Sequence, residues 1–220
     1  MTQGPCESIP LLDHGYVKYI DHLGTDLSIV KAARVSTNGD TKGEEKDKAL
    51  LKYLYDHNHS SPFEQVAMVY EIKMPIFVAR QIMRHRTFKV NELSGRYSEI
   101  PEDYYVPEVL RTQDKKNKQG SVPCPYLKDR VQDLQEAADV AFRTYRILLA
   151  AGVCREQARM ILPLNSYTKV VLQADLNNLI KFFKVRIHEG AQWETQEYAK
   201  AMACMASKFF PWTMEVAGYV

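Results

Sequence analysis

The sequence lacks most of what would place it outside a folded, water-soluble domain. Its apolar runs fall well short of the ~18 residues that mark a membrane-spanning helix, so neither a span nor a membrane partner is expected. The opening residues MTQGPCESIPLL have no basic start followed by an apolar stretch, and no secretory leader is expected. Cysteine is scarce: Cys6, Cys124, Cys154 and Cys204 are far apart and form no CxxC pair. This argues for free thiols in a reducing, cytoplasmic setting over a disulfide framework or a zinc site. Cys154, just ahead of an expected helix start and near Arg155 and Arg159, is read as structural. An excess of one charge is also missing. Lys+Arg total 29 and Asp+Glu 27, a formal net charge of +2 that does not require a nucleic-acid partner. His57 and His59 form an HxH pair, but no third ligand follows at suitable spacing, so no metal is expected.

What is present suits one domain over residues 1–220. The chain is 45% hydrophobic and 25% charged, enough for a sizeable core. Residues 14–22 alternate roughly with period 2 and read as a strand. Asp26 opens a short helix, LSIVKAARV, and Thr37 to Gly43 is a polar loop. An amphipathic helix follows from about Glu44 to His57. Gln65 to Met74, rich in β-branched and aromatic residues, reads as a strand. Pro75 is placed as the first residue of a helix, PIFVARQIMRHR, because that position needs no N–H. Asn91 to Tyr97 reads as a loop, and so does the basic run Arg111–Ser121. Helices are expected from about Leu127 to Ala151, ended by Gly152, then at Arg155–Leu162, Ala174–Ile187 and Gln192–Phe209. The expected class is α+β: a small antiparallel sheet packed with helices, with a helical C-terminal half.

Candidate chemistry concentrates at Arg84–Tyr97, RHRTFKVNELSGRY. Arg80 and Arg84 share a helix face, with Gln81 beside it. Taken alone, Arg84-His85-Arg86 fits equally a positively charged helix C-terminus and an anion site. The residues after it favour the anion site. Asn91, Glu92, Ser94 and Arg96 supply amide, carboxylate, hydroxyl and guanidinium groups, and arginine forks match phosphate oxygens. Gly95 allows close backbone approach or positive φ. Such a set fits a nucleotide monophosphate beside a second anionic ligand. Two other readings are a nucleotide- or RNA-binding module using the arginine cluster on phosphates and a phosphate-ester hydrolase using His85 and Glu92.

Arg84-His85-Arg86, seven residues and Ser94 resemble the RHRx7S signature of the flavin-dependent thymidylate synthases. The blocks Ala32–Ser36, His59–Glu64, Pro75–Gln81, Ala158–Pro163, and Arg186 with Ala191–Glu194 agree in the same order, from about residue 15 to residue 213. The resemblance implies an α+β homotetramer with sites shared between subunits. It implies methylation of dUMP to dTMP, with methylenetetrahydrofolate as carbon donor and NADPH-reduced FAD as hydride source. By the same resemblance, Arg84, His85, Arg86, Ser61 and Glu92 contact FAD, and His59 lies near the flavin and folate. The FAD triplet aligns with Asp175-Leu176-Asn177, and Lys181 stands where relatives carry Asn or His. Gln81, Ile82, Met83, Arg84, Glu92, Leu93, Ser94, Gly95, Arg96 and Arg159 align with dUMP-binding positions. Arg186 aligns with the arginine that assists uracil ionisation, and is the expected catalytic residue. A guanidinium stays charged near neutral pH and can stabilise negative charge on a pyrimidine edge. No cysteine falls in a matched block as a nucleophile. A serine nucleophile needs an adjacent base, so Ser94 reads as a binding residue.

Overall fold

The structure is a computed structural model that describes residues 8–219. Five antiparallel strands form its main sheet in the order β1-β2-β3-β7-β4. They are β1 (Ser8–Leu11), β2 (Gly15–Leu23), β3 (Ala67–Pro75), β4 (Lys89–Glu92) and β7 (Tyr167–Asp175). A separate hairpin joins β5 (Arg111–Gln113) to β6 (Ser121–Pro123). The helices are α1 (Asp26–Arg34), α2 (Glu44–Asp56), α3 (Ile76–Ile82), α4 (Val131–Ala150), α5 (Arg155–Ala158), α6 (Leu176–Arg186), α7 (Trp193–Phe209) and α8 (Pro211–Val216). The α+β expectation holds, although the C-terminal half also supplies β7, an interior strand of the sheet.

Alternation along the strands builds the core. Met68, Tyr70, Ile72 and Met74 of β3 and Thr168, Val170, Leu172 and Ala174 of β7 are buried on one face. The apolar stripes of α6 (Leu179, Phe182, Phe183) and α7 (Tyr198, Met202, Met205) join the same core. Burial of each Leu, Ile, Val, Phe or Met among them contributes about 1.5–3 kcal/mol. Tyr70 donates its hydroxyl to the Met202 carbonyl at 3.1 Å and Tyr198 to the Lys73 carbonyl at 2.7 Å, so the two polar tips are satisfied. A smaller cluster forms where Phe142 and Tyr145 of α4 meet Ala158 of α5, with Ile100 and Tyr104 packed against it.

Four local expectations change. The strand β7 was not foreseen: the expected helix at Ala174 starts instead at Leu176, because Asp175 caps it by accepting from the Asn178 N–H at 2.9 Å. Pro75 closes β3 rather than opening α3, and the first α3 amides donate to the Ser166 and Leu164 carbonyls at 3.0 and 3.1 Å. The helix ends at Ile82, so Arg84-His85-Arg86 leaves it in a turn, with the His85 N–H on the Ile82 carbonyl at 3.1 Å. The segments Asn91–Tyr97 and Arg111–Ser121 are not simply loops. Glu92 ends β4, which pairs with β7. Arg111 clamps the hairpin by donating Nε to Ser121 Oγ at 2.7 Å and Nη2 to its carbonyl at 2.6 Å. The strand at Ser8–Leu11 is a further addition. Among the described residues, Cys124, Cys154 and Cys204 are free thiols, and Cys6 lies outside those residues. No helix among them is long and apolar enough to cross a membrane.

Candidate active site

Arg186 sits at the last turn of α6, where a cation is favoured by the helix dipole. Its guanidinium is fixed on three sides. Nε donates to His85 Nε2 at 3.1 Å, Nη2 to the Gln81 carbonyl at 3.1 Å, and Nη1 to Gln81 Oε1 at 3.4 Å. Burial, and then the charge of Arg84, push the Arg186 guanidinium below its ordinary pKa. Burial, followed by the charge of Arg186, also lowers His85. His85 is therefore a neutral imidazole near pH 7, consistent with its Nε2 accepting from Arg186. Its ring stacks on Phe88 and meets the edge of Phe182, with centroids 5.6 and 4.9 Å away. These two aromatics set the ring plane.

Arg186 and Gln81 line a cleft of about 450 Å³. Arg111, Gln113 and Ser121 of the hairpin also line it, as do Gln192 and Glu194. Arg111 lies over the Trp193 ring at 5.8 Å, which anchors the hairpin to α7. No cysteine lines this cleft.

A second cleft, also of about 450 Å³, lies on the other side of α6. His59, Ser60, Tyr55 and Phe63 line it, together with Asn177, Lys181 and Lys184. Residues 177, 181 and 184 share one helix face, whereas Arg186, two residues past Lys184, is turned by about 200°. One helix thus serves two clefts. Ser61 is exposed next to this second cleft. The Asp175 carboxylate is occupied in capping α6 and also accepts from Asn178 Nδ2 at 2.6 Å. Leu176 is wholly buried, and its N–H donates to the Val66 carbonyl at 3.0 Å, so its side chain faces the core and not a cleft. Asn177 donates to Glu64 at 3.0 Å. The donor set fits a flavin dinucleotide: two ammonium groups for phosphates, amide and imidazole groups for ring edges, and aromatic faces for packing.

The remaining expected residues form a third group. Gly95 packs tightly against Arg159: a Cβ at Gly95 would lie 3.1 Å from Arg159 Cδ and 2.9 Å from Ile100 Cδ1. Gly95 is needed for this close approach and does not have positive φ. Arg96 pairs with Glu156 at 3.3 Å and lines a cleft that includes Cys154 and Arg155. Ser94 Oγ accepts from the Arg96 N–H at 3.3 Å, and the Leu93 N–H donates to the Lys169 carbonyl at 2.9 Å. Glu92 accepts from the buried Thr168 hydroxyl at 2.8 Å. Ile82 is buried in the main core and Met83 half-buried against it, whereas Arg84 and Arg86 are exposed. Within one chain, then, Gln81, His85 and Arg186 meet, as do His59, Asn177 and Lys181, while Gly95, Arg96 and Arg159 stand apart.

Sequence reasoning assigned no role to Lys184, Arg111, Gln192 or Glu194. The i,i+3 spacing of Lys181 and Lys184 was an available signal. Nothing local in the sequence places Arg111 in one cleft with Arg186. Among the described residues, no group of three or more His, Cys, Asp and Glu side chains is placed to hold a metal ion.

The family model described as thymidylate synthase complementing protein matches residues 18–212. A flavin-dependent thymidylate synthase of Thermus thermophilus is 47% identical over 209 residues, covering 95% of this chain and 77% of the relative. That of Thermotoga neapolitana is 42% identical over 207 residues, covering 94% and 92%. Among solved structures, a UMP/dUMP methylase, PolB from Streptomyces cacaoi bound with 5-Br dUMP, superposes with a TM-score of 0.87 at 32% identity, covering 94% of this chain and 96% of that one. With the family model spanning most of the chain and both clefts built from its motif residues, the chain belongs to the flavin-dependent thymidylate synthases, a family of flavin-dependent methyltransferases.

Proposed function

We propose that the protein converts dUMP to dTMP in the cytoplasm, with methylenetetrahydrofolate as carbon donor and FAD, reduced by NADPH, as hydride source. The observation that carries this reading is the Arg186 guanidinium, held by Gln81 and a neutral His85 at a cleft without a cysteine. Three of its five N–H donors are used in these bonds. The other two are available to the cleft, suited to the N3–O4 edge of a pyrimidine. Negative charge building on that edge is stabilised by the fixed cation, and electron density at C5 rises without a covalent thiol. Gln81 orients the guanidinium, and the imidazole of His85 accepts from it without adding a competing charge.

Lys181, Lys184, Asn177 and His59 would hold the flavin dinucleotide, with Ser61, Arg84, His85, Arg86 and Glu92 completing its contacts across subunits. When bound, this group supplies the hydride. Asp175 and Leu176 contribute by starting α6 at the right place. Ser94, Gly95, Arg96 and Arg159 bind the nucleotide phosphate, and Ile82, Met83 and Leu93 pack behind it. Arg96 and Arg186 line different clefts within one chain, which supports sites shared between copies in a homotetramer. Leu134, Val140 and Ile147 of α4 and Met160 are exposed apolar side chains available for such contacts.

The test is dTMP formation by purified protein supplied with FAD, dUMP, methylenetetrahydrofolate and NADPH, each omitted in turn. Product that requires all four is expected, together with a flavin absorbance band and a tetramer by light scattering. A protein that cannot be reconstituted with FAD and makes no dTMP would overturn the proposal.

A further inference from the structure

Arg186 is held by Gln81, and Gln81 is held in turn. Its Nε2 donates to Gln192 Oε1, and Gln192 Nε2 donates to Glu194 Oε2 at 2.9 Å. The chain of bonds therefore runs from Arg186 through two amides to a carboxylate that is itself buried. We infer that Glu194 and Gln192 are positioning residues that set the direction of this chain and thereby aim the Arg186 guanidinium. The inference rests on the proposed role of Arg186.

The physical basis is polarity. An amide can be turned by half a rotation, exchanging its oxygen and its NH2 group, at almost no steric cost. Two amides in series can thus run in either direction. An ionised carboxylate can only accept, so Glu194 forces the NH2 of Gln192 toward itself. The oxygen of Gln192 must then face Gln81, and the NH2 of Gln81 must face Gln192. That leaves the oxygen of Gln81 toward Arg186, which can only donate. Were both amides reversed, an NH2 group would face the guanidinium, and one of its three anchors would become a repulsive contact. Gln192 precedes α7 and Glu194 lies in its first turn, where an acidic residue is favoured. Glu194 also lines a neighbouring cleft with Tyr105, where burial first and then the Glu194 charge raise the Tyr105 hydroxyl.

The test exploits the same directionality. Glu194→Gln keeps the shape but lets the chain reverse. The expected result is a kcat for dTMP formation about 10- to 100-fold lower, the worth of one hydrogen bond to a charged group, with KM for dUMP within twofold. The double variant Gln192→Glu with Glu194→Gln restores a carboxylate acceptor for Gln81, while the new amide at position 194 donates to it. This swap is expected to recover kcat to within a few-fold of wild type. A role in packing or folding alone predicts no such recovery. Glu197→Gln, a loss of an acidic group on the same helix, serves as the control with unchanged kcat. Wild-type kcat in Glu194→Gln, or a swap no better than the single change, would overturn the inference. Should Glu194→Gln not fold, Gln192→Leu is read in its place: the same loss supports the relay, and wild-type kcat overturns it. Absence of dTMP from the wild-type protein would instead reject the proposed function.

Discussion

Replacing Arg186 by lysine separates charge from geometry. The wild-type guanidinium makes three bonds, at 3.1, 3.1 and 3.4 Å, from three different nitrogens. A lysine ammonium concentrates its donors on one atom and cannot span His85, the Gln81 carbonyl and Gln81 Oε1 together. The positive charge stays in the cleft, but the two-pronged approach to a planar ring edge is lost. Removing one pre-aimed donor from developing negative charge typically costs about 10²- to 10³-fold in rate. The expected kcat of Arg186→Lys is therefore about 10²- to 10³-fold below wild type. Retention of FAD should be unchanged, because the cleft proposed for the flavin is lined by the other face of α6. Initial rates of dTMP formation at saturating dUMP, with flavin content read from the absorbance of the same preparations, give both quantities. A lysine variant within threefold of wild-type kcat would refute the geometric role and leave only a charge requirement. Loss of flavin would refute the division of labour along the helix.

Three further outcomes are expected. Lys181→Gln combined with Lys184→Gln should weaken FAD binding by about tenfold or more, and flatten its salt dependence, since each lysine acts on phosphate as a point charge; flavin fluorescence titrations at two salt concentrations read both. Asp47→Ala should lower stability by about 3 kcal/mol, because it strands Arg34, whose Nη2 now donates to the buried Asp47 carboxylate at 2.6 Å; denaturant unfolding checks this. His85 carries a lowered pKa, so the unfolded chain binds its proton more readily. Its contribution to stability should be complete above the ordinary value of 6.5 and fall as pH drops below it, and a His85→Gln variant should lose that part of the pH dependence in thermal melts.

The sequence and the structure agree where local pattern and global packing point the same way. The α1 and α2 helices carry their apolar residues with helical spacing, and β3 alternates buried and half-buried residues along most of its length. They part where a partner distant in sequence decides the outcome. Tyr167–Asp175 contains Leu-Gln-Ala, acceptable in a helix, and becomes a strand because β3 and β4 pair with it on both sides. The β5–β6 hairpin is held by side-chain bonds of Arg111 and Gln113, which no hydrophobic alternation reveals. For the site, the arginine-rich motif was legible as anion chemistry. The residues inferred to aim Arg186 were not, because Gln192 and Glu194 lie more than 100 positions downstream of Gln81 and join it in one chain of bonds only in three dimensions.

The use of a single helix for both clefts has a functional consequence. Lys181 and Lys184 face one cleft, and Arg186 the other, from a helix whose residues Leu179, Phe182 and Phe183 are locked in the core. A helix packed in this way moves as a rigid unit, because interiors transmit displacement with little compression. Flavin phosphates drawn toward the lysines would fix α6 and, with it, the origin of Arg186. Fine aim is then supplied at the tip by His85, which Phe88 and Phe182 hold in plane, and by the amide chain ending at Glu194. The proposed binding and the proposed chemistry are separated by half a turn of helix yet share one mechanical element. Any substitution that shifts the register of α6, such as loss of its Asp175 cap, should therefore weaken flavin binding and turnover together, whereas changes at Gln192 or Glu194 should affect turnover alone.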